Sequence, residues 1–330
     1  MIRSYISGLG AHVPERVVTN EELSRLMETT DEWIQSRTGI KTRHYAAPGE
    51  GPSDLAIPAC EQALEAAGLT VADIDLIIFA TSTPDFYAPG SGVLIQHKMG
   101  FPEIGALDIR VQCCGFIYGI SIADQYIRTG TFQNVLLIGA EVQSTILNLS
   151  TEGRDVSVIF GDGAGAAVIS ATEEERGILS CHLHSQGEYY REIFMELPTS
   201  TRSPRITVED LENDRVWPLM NGREVFRHAV VRFPEVIQEA LDANGLTIDD
   251  ISLIVPHQAN IRISKEVARR LKAPPELVYS NIHKFGNTTA ASIPLALKDA
   301  LGEDRIKPGD YLVLPAFGSG FTWAAALIKW

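Results

Sequence analysis

The sequence predicts an α/β fold in which one helix–turn–strand unit is used twice. Two observations predict it. QALEAAGLTVADIDLII, residues 62–78, returns as EALDANGLTIDDISLIV, residues 239–255. Gly68, Leu69, Thr70, Asp73 and Ile74 recur as Gly245, Leu246, Thr247, Asp250 and Ile251. In each copy a helical run stops at glycine, the usual left-handed C-cap. A turn follows, then a continuous apolar stretch of the kind buried on both faces of a sheet. The second observation is composition: 330 residues, 45% hydrophobic and 21% charged, enough apolar side chain for a well-filled core. Two halves of similar fold are expected, residues 1–171 and 172–330, meeting at the charged segment ATEEERG, 171–177.

Taken in order, the opening MIRSYISGLGAHVPERVV has no apolar h-region, and no stretch reaches transmembrane length. No membrane and a cytoplasmic location are expected. In LDIRVQCCGFIYG, residues 107–119, Leu107, Ile109 and Val111 alternate with polar neighbours, as in a strand. From Gly115 on, Phe116, Ile117, Ile120, Ala123 and Ile127 repeat at helical spacing. The vicinal Cys113 and Cys114 thus fall where a strand turns into a buried helix. The helix start favours thiolate through its dipole and leaves N–H groups that can hold an oxyanion. The bland alternative is two small core residues. Successive residues there point apart, so at most one faces a given pocket, and local physics does not choose between them.

IFGDGAGAAVIS, 159–170, has the G-x-G-x-x-A spacing of dinucleotide sites, but AAVIS is strand-like and no acidic residue stands at the required distance. Close packing between layers is expected there instead. The segment 186–219 is charged, proline-bearing and aperiodic: either a solvated excursion or a cap over an active site. His257, in IVPHQANIRI, stands at the carboxyl end of the second apolar strand, where α/β folds place ligands. Asn287, in HKFGNTTAASIPLAL, precedes a helix as an N-cap or as an amide donor. AFGSGFTW, 316–323, is a glycine-flanked turn that either lets backbone approach a ligand or makes a tight hairpin.

Asp and Glu total 42 against 28 Lys and Arg, a net charge of −14, which argues against nucleic acid as a partner. Four cysteines are too few for a disulfide scaffold, and a Cys113–Cys114 bond would close a strained ring. Cys181, His182 and His184 have no further partners at ligand spacing, so no metal is expected.

DEWIQSRTGIKTRH, the CCGF turn, GDGAGAAV, HQANIRI, FGNTTAASIP and FGSGFTW together resemble the β-ketoacyl-acyl-carrier-protein synthase III family of the thiolase superfamily, in its order and across nearly the whole chain. The resemblance implies a thiolase-like duplicated fold in five layers, α-β-α-β-α, normally a homodimer. It implies that Cys113, two residues before the glycine of C-x-G-F, is the nucleophile, and that His257 and Asn287 complete a triad. Cys114 fills a slot usually held by alanine or serine. The implied oxyanion hole is the backbone N–H of Cys113 and of Ser319. Trp33 is implied as the platform for the adenine of CoA, with Arg37 and Arg154 beside it. Arg227, Arg262, Arg269 and Arg270, with Lys265 and Lys272, are implied as the docking patch for an acidic acyl carrier protein. Ala88 stands where well-known members carry a bulky residue that limits primer length across the dimer, which implies a pocket open to acyl chains longer than acetyl.

The implied reaction is a decarboxylative Claisen condensation of an acyl-CoA primer with malonyl-acyl-carrier protein. It gives a β-ketoacyl product that initiates fatty acid synthesis, and needs no metal or redox cofactor. LDIRVQC and GSGFTW also resemble condensing enzymes of secondary metabolism, of polyketide or quinolone type, that take a longer or aromatic acyl-CoA. That alternative keeps the chemistry and changes the pathway.

Overall fold

The apolar runs of the sequence become inner strands of two sheets in the computed structural model, which describes residues 2–330. The first sheet holds β1 (Arg3–His12), β2 (Leu76–Ala80), β3 (Gly105–Ile109), β4 (Asn134–Glu141) and β5 (Gly163–Thr172), in the order β1-β5-β4-β2-β3. β2 is parallel to β3 and β4, and β5 is antiparallel to β1 and β4. The second holds β6 (Gly177–Ser185), β7 (Leu253–Ile254), β8 (Tyr311–Gly318) and β9 (Thr322–Lys329), in the order β7-β8-β9-β6.

The helices fill three layers around these sheets. α1 (Asp31–Thr38) packs on a small hairpin of Arg16–Thr19 and Thr42–Tyr45. α2 (Pro52–Ala67) and α3 (Ser91–Met99) cover the outer face of the first sheet, burying Leu55, Ala59 and Ile95 against Ile77, Phe79 and Leu136. α4 (Gly115–Arg128) lies between the sheets with α7 (Ser292–Gly302). Their Phe116, Ile120, Ile293 and Leu297 meet Ile78 and Leu137 on one side and Leu312, Leu314 and Ala326 on the other. α5 (Gly222–Asn244) and α6 (Ile261–Leu271) cover the far face of the second sheet. This is the α-β-α-β-α order, held by one continuous core through the central layer.

The repeated unit folds alike in both copies. α2 and α5 end at Gly68 (φ +67°) and Gly245 (φ +64°). The N–H groups of Leu69 and Leu246 then reach back to the carbonyls of Leu64 and Leu241, both at 3.0 Å. In each following turn an aspartate, Asp73 or Asp250, accepts from a threonine N–H, Thr70 or Thr247, at 2.8 Å. The strands differ in length. Regular pairing of β7 ends after Ile254, although His257 N–H still donates to the Pro315 carbonyl at 2.9 Å. The Val255 N–H also donates, to the Val313 carbonyl at 2.9 Å, and the ladder lapses there because Pro315 of β8 has no N–H to return to the Val255 carbonyl.

GDGAGA is packing, as expected: Gly163 opens β5, and a side chain at Gly165 would come within 2.5 Å of Pro294 in α7. The 186–219 segment is only partly solvated. Ile193–Phe194 pairs with Leu219–Met220, Leu197 is buried, and Arg215 bridges Glu196 and Asp210 at 2.7 and 3.0 Å. Among the described residues no helix is long and apolar enough to cross a membrane.

Candidate active site

A cavity of about 630 Å³ opens between the second sheet and α1, α5 and α6, and distant segments meet on its wall. The cysteines enter through a single tight turn, Gln112–Cys114, that feeds α4. Gln112 holds φ +43° there, a conformation that non-glycine residues rarely adopt. Cys113 lines the cavity and keeps 8% exposure. Cys114 is fully buried, and its thiol donates to the Thr322 carbonyl at 3.4 Å. The two side chains diverge, and only Cys113 reaches the cavity.

The hairpin between β8 and β9 comes up beside that thiol. A methyl group at Gly318 would lie 2.6 Å from Cys113 Cβ and 2.9 Å from its Sγ, so the close approach requires glycine. The backbone N–H groups of Cys113 and Ser319 both favour negative charge on the sulfur. They do not prevail in the resting state. Burial pushes the Cys113 pKa well up, and Cys114 and Glu141 add to the rise. Burial thus outweighs the helix start at this thiol. The reason is desolvation: the first turn is wholly inside the core.

His257 is buried and neutral, its pKa lowered to about 3 by desolvation. Its Nδ1 lies 2.6 Å from Ser292 Oγ, which also accepts from the Gln258 N–H at 3.4 Å. Where the Ser292 hydroxyl donates to Nδ1, the imidazole proton stands on Nε2. Nε2 has no protein partner. Asn287 is not an N-cap, because α7 begins five residues later with Ala291 at its cap position. Its Oδ1 accepts from the Thr289 N–H at 2.9 Å, which leaves the Nδ2 hydrogens for the cavity that Asn287 lines.

At the mouth, the guanidinium groups of Arg37 and Arg154 lie 4.3 and 4.6 Å from the Trp33 ring centroid. Arg223 and Arg262 line the same opening, and Arg262 lies 5.5 Å from the Phe226 ring. Arg223 was missed in the sequence. Its signal is the spacing of Val225, Phe226 and Ala229, which turns this start of α5 toward the cavity. Other expected residues stay apart. Ala88 is on an exposed loop and does not line the cavity of its own chain. Arg227 is paired with Glu224 at 2.5 Å, and Arg269 and Arg270 share Glu266 at 2.6 and 2.8 Å, so much of the expected basic patch is internally compensated.

Residues 107–187 match the family described as 3-oxoacyl-[acyl-carrier-protein (ACP)] synthase III, and residues 241–330 match its C-terminal part. A β-ketoacyl-[acyl-carrier-protein] synthase III of Rhodospirillum centenum is 47% identical over all of this chain and 99% of its own length. The chain belongs to the 3-oxoacyl-acyl-carrier-protein synthase III family. The crystal structure of the Aquifex aeolicus synthase III superposes with a TM-score of 0.91 at 38% identity, covering 99% of this chain and 100% of that one. The priming β-ketosynthase of the R1128 polyketide pathway gives 0.90 at 32% identity, over 99% and 96%. The five-layered thiolase fold of this synthase is therefore the fold of its family, and the chain is a condensing acyltransferase.

Proposed function

We propose that this synthase condenses an acyl-CoA primer with malonyl-acyl-carrier protein, with Cys113, His257 and Asn287 as its reacting and charge-stabilising groups. The observation that carries the reading is the convergence of a thiol, a neutral imidazole and a carboxamide from three distant segments on one cavity with an arginine-flanked tryptophan at its mouth. In the first stage the Cys113 sulfur attacks the thioester carbonyl and CoA leaves with the proton. The N–H groups of Cys113 and Ser319 receive the tetrahedral oxyanion. Because the resting thiol is protonated, deprotonation accompanies attack rather than preceding it. In the second stage malonyl-carrier protein loses CO₂ and its charge moves to a thioester enolate oxygen. His257 Nε2–H and Asn287 Nδ2–H donate to that oxygen, each worth roughly 10²–10³-fold in rate. The enolate carbon attacks acyl-Cys113, forming the carbon–carbon bond and returning the thiolate. No metal or redox cofactor enters the steps.

Trp33 stacks the CoA adenine, and Arg37 and Arg154 hold its phosphates. Arg262, at the mouth, receives the acidic carrier protein, with Arg227, Arg269 and Arg270 in a lesser part because Glu224 and Glu266 already pair with them. The chain works as a cytoplasmic homodimer joined along β3, an edge strand with Leu107 exposed. The adjoining loop, tied to β3 where Asp108 accepts from the Ser91 and Gly92 N–H groups at 2.6 and 2.8 Å, exposes Phe86 and Tyr87. Across such a joint Ala88 would border the partner's primer pocket and leave it open to long acyl chains. A polyketide-type primer remains the second reading, favoured by the R1128 likeness.

The test is peptide mass spectrometry after exposure to a mixed acyl-CoA pool. The acyl mass is expected on Cys113, lost in Cys113→Ala and largely kept in Cys114→Ala. Equal labelling of both cysteines, or none on Cys113, would refute the assignment. The chain lengths recovered report the primer.

A further inference from the structure

The cavity accounts for Asn287 but not for what holds it. Thr289, two residues on, has φ +51°, a strained conformation for a β-branched residue. Such strain persists only where surrounding contacts over-determine it. The contacts come from the end of β4. Gln143 Nε2 donates to Thr289 Oγ1 at 3.0 Å, and also approaches Ser82 Oγ at 2.9 Å and Glu141 Oε2 at 3.2 Å. Glu141 is fully buried, and no cation is among its hydrogen-bond partners. It accepts from the Ser82 N–H at 3.1 Å and from the hydroxyls of Ser82 and Thr83 at 2.8 and 2.9 Å. The backbone N–H of Ala290 also favours its charge. β4 meanwhile lies hard against this segment: a methyl group at Gly139 would come within 2.5 Å of the Ala290 carbonyl oxygen.

Resting on the reading of Asn287 as a donor to the enolate, we propose that Gln143 and Glu141 are positioning residues for the condensation step, acting through Thr289. The path is continuous. Glu141 and Ser82 orient the Gln143 carboxamide. Gln143 holds the Thr289 hydroxyl, and this keeps Thr289 in its left-handed conformation. The Thr289 N–H then holds Asn287 Oδ1 at 2.9 Å, which turns Nδ2 toward the cavity. A polar network this deep is costly unless every member is satisfied, and this one ends on a residue of the cavity wall. Its function is to set the direction of one N–H bond, which is the kind of geometry on which a rate depends: a displacement of about 1 Å can cost about 10²-fold.

Gln143 and Thr289 reach the reaction only through Asn287, a second-stage group, so the two half-reactions separate their role from a general structural one; Glu141, whose charge also bears on the Cys113 thiol, is left unchanged in the test. CoA release on acylation of Cys113 is measured against product formation from pre-acylated enzyme and malonyl-carrier protein. Gln143→Met keeps the side chain's shape and removes its donors. It is expected to slow condensation by about 10–100-fold while changing the acylation rate and the acyl-CoA KM by less than about threefold. Thr289→Val is expected to do the same, and Thr289→Ser, which keeps the hydroxyl, to restore most of the rate. Equal losses in both half-reactions, no loss, or Thr289→Ser behaving as Thr289→Val would each overturn the inference. Asn287→Ala is run alongside. If it condenses normally, the role given to Asn287 fails. If it is impaired and Gln143→Met and Thr289→Val are not, only the positioning network fails.

Discussion

Cys113 and Gly318 show how closely single residues are matched here. Gly318 has no side chain because the thiol occupies that space, at 2.9 Å from where a methyl would stand. Gly318→Ala is therefore expected to lower the rate of Cys113 acylation by at least about 10²-fold, read as CoA release, and to cost about 1–3 kcal/mol in stability through overpacking. An active alanine variant would show that the hairpin can retreat. The buried titratable groups bear on stability in opposite directions. His257 is held at about 3, below its ordinary 6.5, so its unfolded form binds the proton first as pH falls. Its contribution is full above pH 6.5 and is lost as pH drops toward 3. Glu141 is raised to about 7 from its ordinary 4.5 by burial, so the folded form binds the proton first. It lowers stability as pH rises from 4.5 to 7, and no further above that. The stability of Glu141→Gln relative to wild type should accordingly improve by up to about 3 kcal/mol between pH 4.5 and pH 8, measured by urea unfolding. A pH-independent difference would mean that the carboxylate stays ionised throughout.

At the scale of elements, the duplicated unit makes a paired prediction. Gly68 and Gly245 cap α2 and α5 at nearly the same φ, and a methyl at either would touch nothing within 4 Å. Only backbone conformation opposes a side chain there. Gly68→Ala and Gly245→Ala should each cost about 1–2 kcal/mol in urea unfolding, by similar amounts, with activity kept. A large difference between the two would mean that the halves are not equivalent in this turn. The caps, the threonine–aspartate turns and the apolar strands were legible because each is a local pattern. The early end of β7 was not legible, because the missing donor is Pro315 of the neighbouring strand β8, and only the pairing register shows that it faces Val255. What local pattern could not supply was the role of Asn287. A residue ahead of a helix has the same signature whether it caps the helix or faces a cavity, and only Thr289 and Ala291 decide between them.

For the whole molecule, the exposed apolar residues are spread over several elements, and one group of them bears on assembly. Phe86, Tyr87 and Leu107 lie on or beside the edge strand β3, which has an unsatisfied side. Leu107→Asp combined with Tyr87→Asp should convert the proposed dimer to monomer in sedimentation velocity, with loss of activity if Ala88 borders the partner's cavity. A wild-type monomer, or a double variant that still dimerises, would remove β3 as the joint. The net charge of −14 describes this whole surface but conceals the arginines at the cavity mouth, which a sum over the chain cannot reveal.

By itself the sequence determined the repeated helix–turn–strand units, their glycine stops, the turn that carries Cys113 and Cys114, and the family to which the motifs belong. These follow from spacing and from the conformational limits of single residues. Only the tertiary structure decided which cysteine meets the cavity, that burial outweighs the helix start at its thiol, and which way the Asn287 carboxamide points. Those outcomes depend on desolvation and on contacts such as that between Gln143 and Thr289, 146 positions apart. No local pattern encodes them, because they exist only once both sheets have closed on the central helices.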